Sequence, residues 1–387
     1  MVGEDTVIIH YDEIFLKGKN RYTFEKILAD NIKAKAKELI GDMRREPGQI
    51  VLEIAQNADA KKIKDIISKV PGIAHFSLAK KVLLSLEQIK KESIDILKDK
   101  QFETFKVDTA RHHKENEFKS EELNRTIGEL VLNKYSNKKV QMKNPDLILK
   151  IEISVKDAYI SAEQIKGVGG MPTNQKQKVV ALLSGGLDSP VAAYLMMKRG
   201  CEVILVHFQN ENQMTQSVQG KIIQLSEQLS KYQQHTKLYI IPFEEIQKQI
   251  IMNVNSTLRM LVYRRFMLRI ASEIATQEKA KFLIVGDSLS QVASQTFDNI
   301  GATYEAADKH VFSPVIGLDK KEIIAVARQI GTYEISSLPY GDCCSYFIPK
   351  HPELKSTTGL LRQQEEKFEM QKLIDDAVSK AKISEWK

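Results

Sequence analysis

The chain has 387 residues, of which 42% are hydrophobic, and its formal net charge is +7. This length is sufficient for two or three domains, each with its own core. No apolar run approaches the roughly 20 residues that cross a bilayer, and the first residues lack the basic and apolar regions of a secretory signal. Three cysteines indicate neither a disulfide framework nor a zinc site. We expect a globular cytoplasmic protein without a membrane partner.

Residues 1–57 are predicted to form a small α+β unit. A strand over 6–10 precedes a helix over 21–39, and a second strand covers 50–54. The stretch between the first strand and the helix is rich in lysine and arginine around Gly18. Such a stretch either binds phosphate or is simply solvated, and the residue types alone favour a solvated loop.

Residues 58–165 are predicted to form a second α+β unit. The adjacent His112 and His113 lack a second pair of ligands at metal spacing, so a zinc site is not expected. We place them on a basic strand edge with Arg111 and Lys114. The predicted elements are a helix that ends at Pro71-Gly72, a strand over 73–78, a helix over 87–97, a strand over 104–107, a helix from Ser120 to about Asn133, and strands over 147–155 and 159–162.

A strand, a loop and a helix follow a glycine-rich segment over 166–174, which has the composition of a linker. Residues 179–183 predict a strand buried on both faces. The loop SGGLDS occupies 184–189, and an apolar helix then runs to Gly200. We place Ser189 at the N-cap of this helix. Because a glycine-rich loop and a helix start both present free N–H groups, this segment favours a di- or triphosphate, although the lysine of a Walker motif is absent.

The remainder of the chain alternates strands with helices, which predicts a doubly wound parallel sheet. Ligands bind such sheets at the carboxyl ends of the strands, where the strand order reverses. An adenine ring is expected against the first two strands, with Phe208 as an apolar wall, and His207 is interpreted as a strand-end histidine without a catalytic role. The strand-end residues that share the edge of SGGLDS are Leu182, Leu183, His207, Phe208 and Gly286.

Four polar residues in this half interrupt apolar surroundings. Arg264 and Arg265 lie within a helix that Ser256 or Thr257 caps, and Gln291 and Gln295 are expected on one helical face. Each alone is expected at the surface. The other predicted elements are strands over 202–207, 237–242 and 282–285 and helices over 218–232 and 319–330.

The loop SGGLDS resembles the PP-loop of ATP pyrophosphatases. In that family the loop holds the β- and γ-phosphates of ATP while a nucleophile attacks the α-phosphorus and pyrophosphate leaves. The resemblance implies that Asp188 helps to place Mg²⁺ and that Arg264 and Gln295 contact the nucleotide. The residues that would hold pyrophosphate are Ser184, Gly185, Gly186 and Ser189.

The upstream half resembles the RNA-binding half of the ThiI family of 4-thiouridine synthetases, in which a ferredoxin-like domain precedes a THUMP domain. The segments that carry the resemblance are YDEIFLKGKNR, PGIAHFSLA, FKVDTARHHKENEFKSEELNRTIG and NPDLILKIEI. It implies a ferredoxin-like domain over 1–57, a THUMP domain over 58–165, a linker over 166–174 and a PP-loop domain over 175–387. Since the first two domains hold tRNA in that family, the implied phosphate contacts are Lys17, Arg21, Arg111 and Lys114.

The ThiI resemblance also assigns chemistry downstream of the loop. Lys320, in the pair Asp319-Lys320, would stabilise charge on the α-phosphate in the transition state. A family cysteine takes part in sulfur transfer within the loop PYGDCCSYFIPKHP, which here carries Cys343 and Cys344; we favour Cys344. Cys201, between a helix end and a buried strand, is expected to be structural.

The resemblance implies an ATP-dependent tRNA sulfurtransferase. The C4 oxygen of uridine 8 would attack ATP–Mg²⁺, and sulfur from a cysteine desulfurase persulfide would displace AMP to give 4-thiouridine. The family also passes sulfur to the carrier protein ThiS for thiamine synthesis. Some members add a C-terminal rhodanese domain with a cysteine, whereas this chain has no cysteine after Cys344, so we expect direct persulfide delivery or free sulfide.

Two other functions stay open at this stage, and so does the assembly. One is a PP-loop synthetase that forms amides, and the other is a nucleotide-regulated RNA-binding protein. A homodimer would let the RNA-holding domains and the catalytic loop reach different parts of one tRNA.

Overall fold

The computed structural model describes residues 5–112, 118–210, 216–339 and 352–386, with the backbone alone for 216–219. Four residues singled out above, His113, Lys114, Cys343 and Cys344, lie outside these ranges. The chain divides into two compact units, Met1–Pro172 and Thr173–Lys387. Across the described ranges, no helix combines the length and the apolar character needed to cross a bilayer.

The first unit begins with a ferredoxin-like arrangement, as predicted. Its sheet has the order β2-β3-β1-β4, in which β1 is antiparallel to both neighbours. Val7, Leu28, Ile63 and Phe76 are fully buried in a core shared by the sheet and both helices. The elements are β1 (Thr6–His10), α1 (Arg21–Ala36), β2 (Ile40–Glu46), β3 (Gln49–Ile54), α2 (Ala60–Ile67) and β4 (His75–Leu83).

Strand β2 corrects the prediction that the first helix runs to residue 39. The chain leaves the helix after Ala36 and forms a hairpin with β3, whose turn holds Gly48 at φ +86°. The sequence of β2, IGDMRRE, lacks an apolar alternation because β2 is an edge strand with four exposed residues. Edge strands of this kind carry charge to avoid pairing with other chains.

The second part of this unit has the THUMP arrangement, with the sheet order β8-β7-β5-β6. Strand β4 joins both parts, because its residues 75–79 pair with β1 and residues 80–83 pair with β8. A division at Ala58 therefore cuts through the core that α2 and β4 share with β1, and the bounds given above stay a prediction. The elements are α3 (Leu86–Asp95), β5 (Thr104–Arg111), α4 (Ser120–Lys134), β6 (Lys139–Val140), β7 (Leu147–Ile153), β8 (Asp157–Ser161) and β9 (Ile165–Lys166).

The glycine-rich segment after β9 is bound to the first unit. The Gly167 N–H donates to the carbonyl of Ala74 at 2.9 Å, and the Gly169 N–H donates to that of Ile73 at 2.7 Å. Met171 is buried in the first core. The glycine content of this segment suggested a free linker. It instead reflects close packing, because a Cβ on Gly167 would lie 2.3 Å from the Ile73 oxygen.

The second unit is built on a six-stranded sheet with the order β14-β13-β10-β11-β12-β15. Strands β13 and β14 run parallel to β10, and β12 runs parallel to β11, which confirms the doubly wound parallel sheet. The chain goes from β10 to β11 and β12 on one side and then crosses to β13, so the order reverses between β10 and β13. The strands are β10 (Met171–Leu182), β11 (Arg199–Gln209), β12 (Thr236–Pro242), β13 (Phe282–Ile284), β14 (His310–Phe312) and β15 (Lys382–Trp386).

The helices of the second unit differ from the prediction in three places. Helix α8 begins at Arg259, after a separate α7, and neither Ser256 nor Thr257 caps it. Gln291 lies in a loop and Gln295 ends the short 3-10 helix Ala293–Gln295, so the two do not share the face of one helix. Two helices and the antiparallel edge strand β15 close the chain. The helices are α5 (Asp188–Lys198), α6 (Gln216–Ser230), α7 (Glu244–Asn253), α8 (Arg259–Gln277), α9 (Phe297–Tyr304), α10 (Lys320–Gln329), α11 (Tyr333–Ser337), α12 (Thr358–Glu365) and α13 (Met370–Ser379).

Arg265 corrects the expectation of a surface arginine, because it is fully buried in the second unit. Its guanidinium binds both carboxylate oxygens of Glu365, at 2.8 and 2.7 Å, and a carboxylate oxygen of Glu305 at 2.9 Å. Successive helical side chains point about 100° apart, so Arg265 faces α12 while Arg264 faces another side of α8. This paired charge fixes α12 against α8.

Candidate active site

The loop SGGLDS is closed by hydrogen bonds between its two serines. The Ser189 hydroxyl accepts from the Ser184 N–H at 2.8 Å and lies 2.9 Å from the Ser184 hydroxyl, which in turn accepts from the Gly186 N–H at 3.3 Å. The helix begins at Asp188, so Ser189 lies within its first turn and is not the N-cap. Its hydroxyl reaches back across the loop to the Ser184 N–H and hydroxyl, and these bonds join the two ends of the loop.

Gly286 brings the end of β13 against the start of α5. A Cβ at this position would lie 2.6 Å from the Ser189 backbone nitrogen and 2.8 Å from its Cα. Both are backbone atoms that cannot move aside, so only glycine fits here without displacing the loop. This close approach places the two strands on either side of the reversal point next to SGGLDS.

Asp188 and Lys320 meet at the rim of the loop. The Lys320 ammonium lies 2.7 Å from one Asp188 carboxylate oxygen, and the Gln291 amide donates to the other at 3.2 Å. Lys320 is the first residue of α10, and Asp319 and Glu322 form a capping box there. Since the lysine is about half exposed, its ammonium can exchange Asp188 for a phosphate oxygen.

A cavity of about 530 Å³ opens beside the loop. The structure brings ten of the twelve predicted nucleotide-binding residues to its wall, while Gly185 and Gly186 lie in the loop itself. The lining residues that were predicted are Leu182, Leu183, Ser184, Asp188, Ser189, His207, Phe208, Arg264, Gly286 and Gln295.

An apolar wall of the cavity comes from α8 and was missed from the sequence. Met260, Leu261, Met267 and Leu268 line it together with Arg264. These residues share one helical face with the spacing i, i+1, i+4, i+7 and i+8. The spacing around Arg264 was the signal that could have identified this wall.

Asp287, also missed, is the centre of a polar network in the cavity. Its carboxylate pairs with the Arg264 guanidinium and accepts from the Tyr304 hydroxyl at 2.9 Å and from the Gln295 amide at 3.1 Å. Burial, reinforced by the Asp287 charge, raises the pKa of Tyr304 above its ordinary value, so the phenol stays a hydrogen-bond donor. Asp287 directly follows Gly286 at a strand end, which is the position where the sheet rule predicts ligand-binding residues.

His207 behaves as the structural residue that was expected. It is buried, and its Nδ1 donates to the Leu183 carbonyl at 2.9 Å, which ties the end of β11 to the end of β10. The Gln295 side-chain oxygen is also buried but has no hydrogen-bond partner among the described residues. An unpaired buried acceptor is costly without a ligand, and the amino group of an adenine would satisfy it.

The predicted RNA contacts in the first unit have different surroundings. The Arg21 guanidinium donates to the Glu25 carboxylate at 2.7 Å and to the Tyr11 hydroxyl at 2.9 Å. Part of its hydrogen-bonding capacity is therefore used within the first unit. The Lys17 ammonium lies over the Phe24 ring. The exposed Arg111 donates to the Phe118 carbonyl at 3.3 Å, and Lys114 lies outside the described residues.

His112 is not on a basic edge, which corrects the prediction. Its Nε2 lies 3.0 Å from Glu152, and the His10 Nε2 lies 2.9 Å from the same buried carboxylate. Burial alone would raise the pKa of Glu152, but hydrogen bonds from His10 and His112 outweigh it and hold that pKa well below the ordinary value. The carboxylate therefore stays charged and joins β1, β5 and β7.

Three protein-family profiles match the chain. The profile "ThiI ferredoxin-like domain" covers residues 6–77, "THUMP domain" covers 84–163, and "Thiamine biosynthesis protein (ThiI)" covers 174–370. The chain belongs to the ThiI family. The order of the three ThiI segments agrees with the resemblance stated from the sequence.

Relatives in the ThiI family match over nearly their full length. A "Probable tRNA sulfurtransferase" of Caldanaerobacter subterraneus subsp. tengcongensis is 40% identical over 374 residues, which cover 96% of this chain and 98% of the relative. One of Thermoanaerobacter pseudethanolicus is 39% identical over 96% and 98% of the two chains. A solved 4-thiouridine synthetase, in complex with RNA and with bound ATP, has a TM-score of 0.88 and 31% identity and covers 99% of this chain and all of its own.

Proposed function

We propose that the chain is an ATP-dependent tRNA sulfurtransferase that converts uridine 8 of tRNA to 4-thiouridine. The observation that carries this proposal is the closed SGGLDS loop beside a cavity at the reversal point of the sheet, with Asp188 and Lys320 at its rim. The relatives named above and the 4-thiouridine synthetase with RNA and ATP support the choice of substrate. We propose that the reaction takes place in the cytoplasm.

The chemistry begins with adenylation. The C4 oxygen of the uridine attacks the α-phosphorus of ATP, the bond to the β-phosphate oxygen breaks, and pyrophosphate leaves with its electron pair. The loop amides and the start of α5 hold the departing phosphates. Lys320 stabilises the negative charge that develops on the α-phosphate.

The residues fit ATP and Mg²⁺. A magnesium ion that takes phosphates and water as ligands needs only one or two carboxylates from the protein, and Asp188 can supply one. No group of three histidine, cysteine, aspartate or glutamate side chains forms a metal site in the part of the chain that the structure describes. Bound magnesium would neutralise charge on the phosphates. Gln295 and the apolar wall with Phe208 would hold the adenine.

Sulfur replaces AMP in the second step. In one route, the outer sulfur of a persulfide formed on Cys343 or Cys344 by a cysteine desulfurase attacks C4 of the adenylated uridine, and the C4–oxygen bond breaks to release AMP. A second thiol, from the other cysteine or a thiol reductant, then attacks the cysteine sulfur of the resulting C4–S–S–cysteine link, so the S–S bond breaks and leaves 4-thiouridine and a disulfide. In the other route, free sulfide attacks C4 directly and displaces AMP. Transfer of sulfur to ThiS is a second proposed activity of the same thiol. Lys17, Arg21, Arg111 and Lys114 are proposed to contact tRNA phosphates, and a homodimer is the proposed assembly.

The test follows α- and γ-labelled ATP with and without tRNA, together with mass spectrometry of the nucleoside at position 8. We expect AMP and pyrophosphate to form only with tRNA, and Asp188→Asn to reduce their formation by at least about 100-fold, since it weakens both metal and phosphate placement. If AMP formation does not depend on tRNA, the proposed sulfurtransferase activity is excluded.

The cysteines are tested in the same assay. Replacing Cys343 and Cys344 by serine is expected to leave tRNA-dependent pyrophosphate formation, which reports adenylation, intact and to abolish 4-thiouridine when cysteine desulfurase is the donor. Cys201→Ser is the matched control, because that thiol is half-buried away from the cavity lining. If the double variant still thiolates uridine with desulfurase, the proposed relay is incorrect.

A further inference from the structure

A serine outside SGGLDS is bonded to the loop backbone. The Ser336 hydroxyl, at the end of α11, donates to the Gly186 carbonyl at 3.0 Å across 150 residues of chain. Ser336 is buried and does not line the cavity. Its contact is with the second glycine of the loop, so it acts on the loop conformation without touching the nucleotide site.

The direction of this bond matters for anion binding. The peptide unit between Gly186 and Leu187 is planar and trans, so its C=O and N–H point in opposite directions. Because the carbonyl is drawn towards Ser336, the Leu187 N–H points away from α11. Neighbours on both sides of this peptide, Ser184 and Asp188, line the cavity. A carbonyl oxygen turned towards a phosphate would repel it, whereas an N–H would bind it.

Ser336 is itself held by a buried lysine. The Lys221 ammonium on α6 donates to the Ser336 carbonyl at 2.9 Å and to the Leu338 carbonyl at 2.8 Å. Lys221 is 3% exposed. Burying an ammonium is costly unless it is hydrogen-bonded, so these two carbonyls fix its position and it fixes theirs.

We propose that Ser336, held in place by Lys221, is a positioning residue that orients the Gly186–Leu187 peptide so that the loop offers N–H groups to pyrophosphate. The proposal rests on the proposed function, since it assigns the polyphosphate of ATP to this loop. It adds two residues to the site, neither of which SGGLDS or the cavity lining contains.

The test compares Ser336→Ala with Ser337→Ala in the full chain. Ser337 is the matched control because it lies on the same helix and its hydroxyl donates to the Tyr333 carbonyl instead of the loop. Binding of magnesium pyrophosphate and of AMP is measured by calorimetry without RNA. We expect Ser336→Ala to weaken pyrophosphate binding by about three- to ten-fold, the value of one hydrogen bond, and to leave AMP binding unchanged.

Lys221→Met provides a second arm. It is expected to weaken pyrophosphate binding, but by no more than Ser336→Ala does. Because Lys221 is proposed to act through Ser336, the double variant should bind pyrophosphate no more weakly than Ser336→Ala alone, which is the signature of two coupled residues.

Three results are decisive against the proposal. Wild-type pyrophosphate affinity in Ser336→Ala overturns it, and so does an equal loss of AMP affinity, which would indicate a general structural effect. Additive losses in the double variant overturn the role of Lys221. If the wild-type chain binds neither ATP nor pyrophosphate, the proposed function itself fails and this inference fails with it.

Discussion

At the scale of single residues, Asp287 gives the cavity its polar order. It aligns Arg264, Tyr304 and Gln295 on one carboxylate. Sequence reasoning reached Arg264 and Gln295 through the family resemblance but not the group that holds them. Their partner could not be inferred because the contact joins α8, the strand-end loop and α9, which only the tertiary fold brings together.

We expect Asp287→Asn to raise the KM for ATP by about ten-fold or more, because a charge-assisted hydrogen bond to the Arg264 guanidinium is worth about 1.5–3 kcal/mol. Steady-state AMP formation with saturating tRNA measures it. Asp308→Asn, which changes an exposed carboxylate of the same unit, serves as the control. An unchanged KM would show that Asp287 does not organise the nucleotide site.

His75 is a second residue with a property set by its surroundings, in this case its pKa. Its ring stacks on His10 with centroids 4.7 Å apart, and burial, with a smaller effect of the His10 charge, lowers the pKa of His75 from 6.5 to about 4. The unfolded chain therefore binds a proton between pH 6.5 and 4 that the folded chain does not. This contribution to stability is complete above pH 6.5 and is lost as the pH falls towards 4.

Replacing His75 by phenylalanine keeps the ring stack and removes the titration. We expect an imidazole signal with a midpoint near pH 4 in NMR titrations of the wild type, missing from His75→Phe, and a smaller loss of stability between pH 6.5 and 4 in the variant. A midpoint near 6.5 for the wild-type signal would contradict the burial of this ring.

At the scale of elements, the periodic spacing of apolar residues located most helices and strands. It did not locate the edge strands, whose sequences have no such spacing. The strand β10, the loop and α5 were recognised because buried apolar residues give way abruptly to small polar ones. The edge strands β2 and β15 carry charged residues at the solvent, so their sequences show no alternation to detect. The buried Arg265 was placed outside because a charged side chain predicts the surface unless its distant partner, here Glu365, is known.

The close contact between Gly286, after β13, and the start of α5 shows how two elements form the site, and a substitution at Gly286 tests it. Gly286→Ala would place a Cβ 2.6 Å from the Ser189 nitrogen, and such an overlap typically costs about 1–3 kcal/mol and shifts backbone. We expect a lower free energy of unfolding and a loss of ATP binding. Chemical denaturation and calorimetry measure the two effects.

Gly301→Ala is the matched control for this substitution, because a Cβ there meets nothing within 4 Å and the residue lies inside α9. Alanine is favoured over glycine within a helix, so this variant should be as stable as the wild type or slightly more. Equal behaviour of the two variants would contradict the close approach at Gly286.

At the scale of the whole molecule, the fold class and the three-part order followed from the sequence, because the PP-loop and the upstream segments occur in a fixed order. The placement of the glycine-rich segment did not follow. Composition describes how free a segment is on its own, whereas the hydrogen bonds from Gly167 and Gly169 to Ala74 and Ile73 depend on the residues just before β4, which are distant in the sequence.

Fragments that end on either side of this segment test its role. We expect a fragment of residues 1–174 to unfold at a higher urea concentration than one of residues 1–166, because the shorter one loses the contacts of Gly167 and Gly169 and the burial of Met171. Circular dichroism during denaturation measures it. Equal midpoints would mean that the segment adds no stability to the first unit.

Strand β4 has a mechanical consequence for the first unit. Nine residues run without interruption from the sheet of β1 into that of β8, a span of about 30 Å. Because a strand paired along its length bends less easily than a loop, we expect the two parts of this unit to keep a nearly constant spacing. A stiff, folded ligand such as the proposed tRNA is then selected by its own dimensions, and little conformational entropy of the protein is lost when it binds.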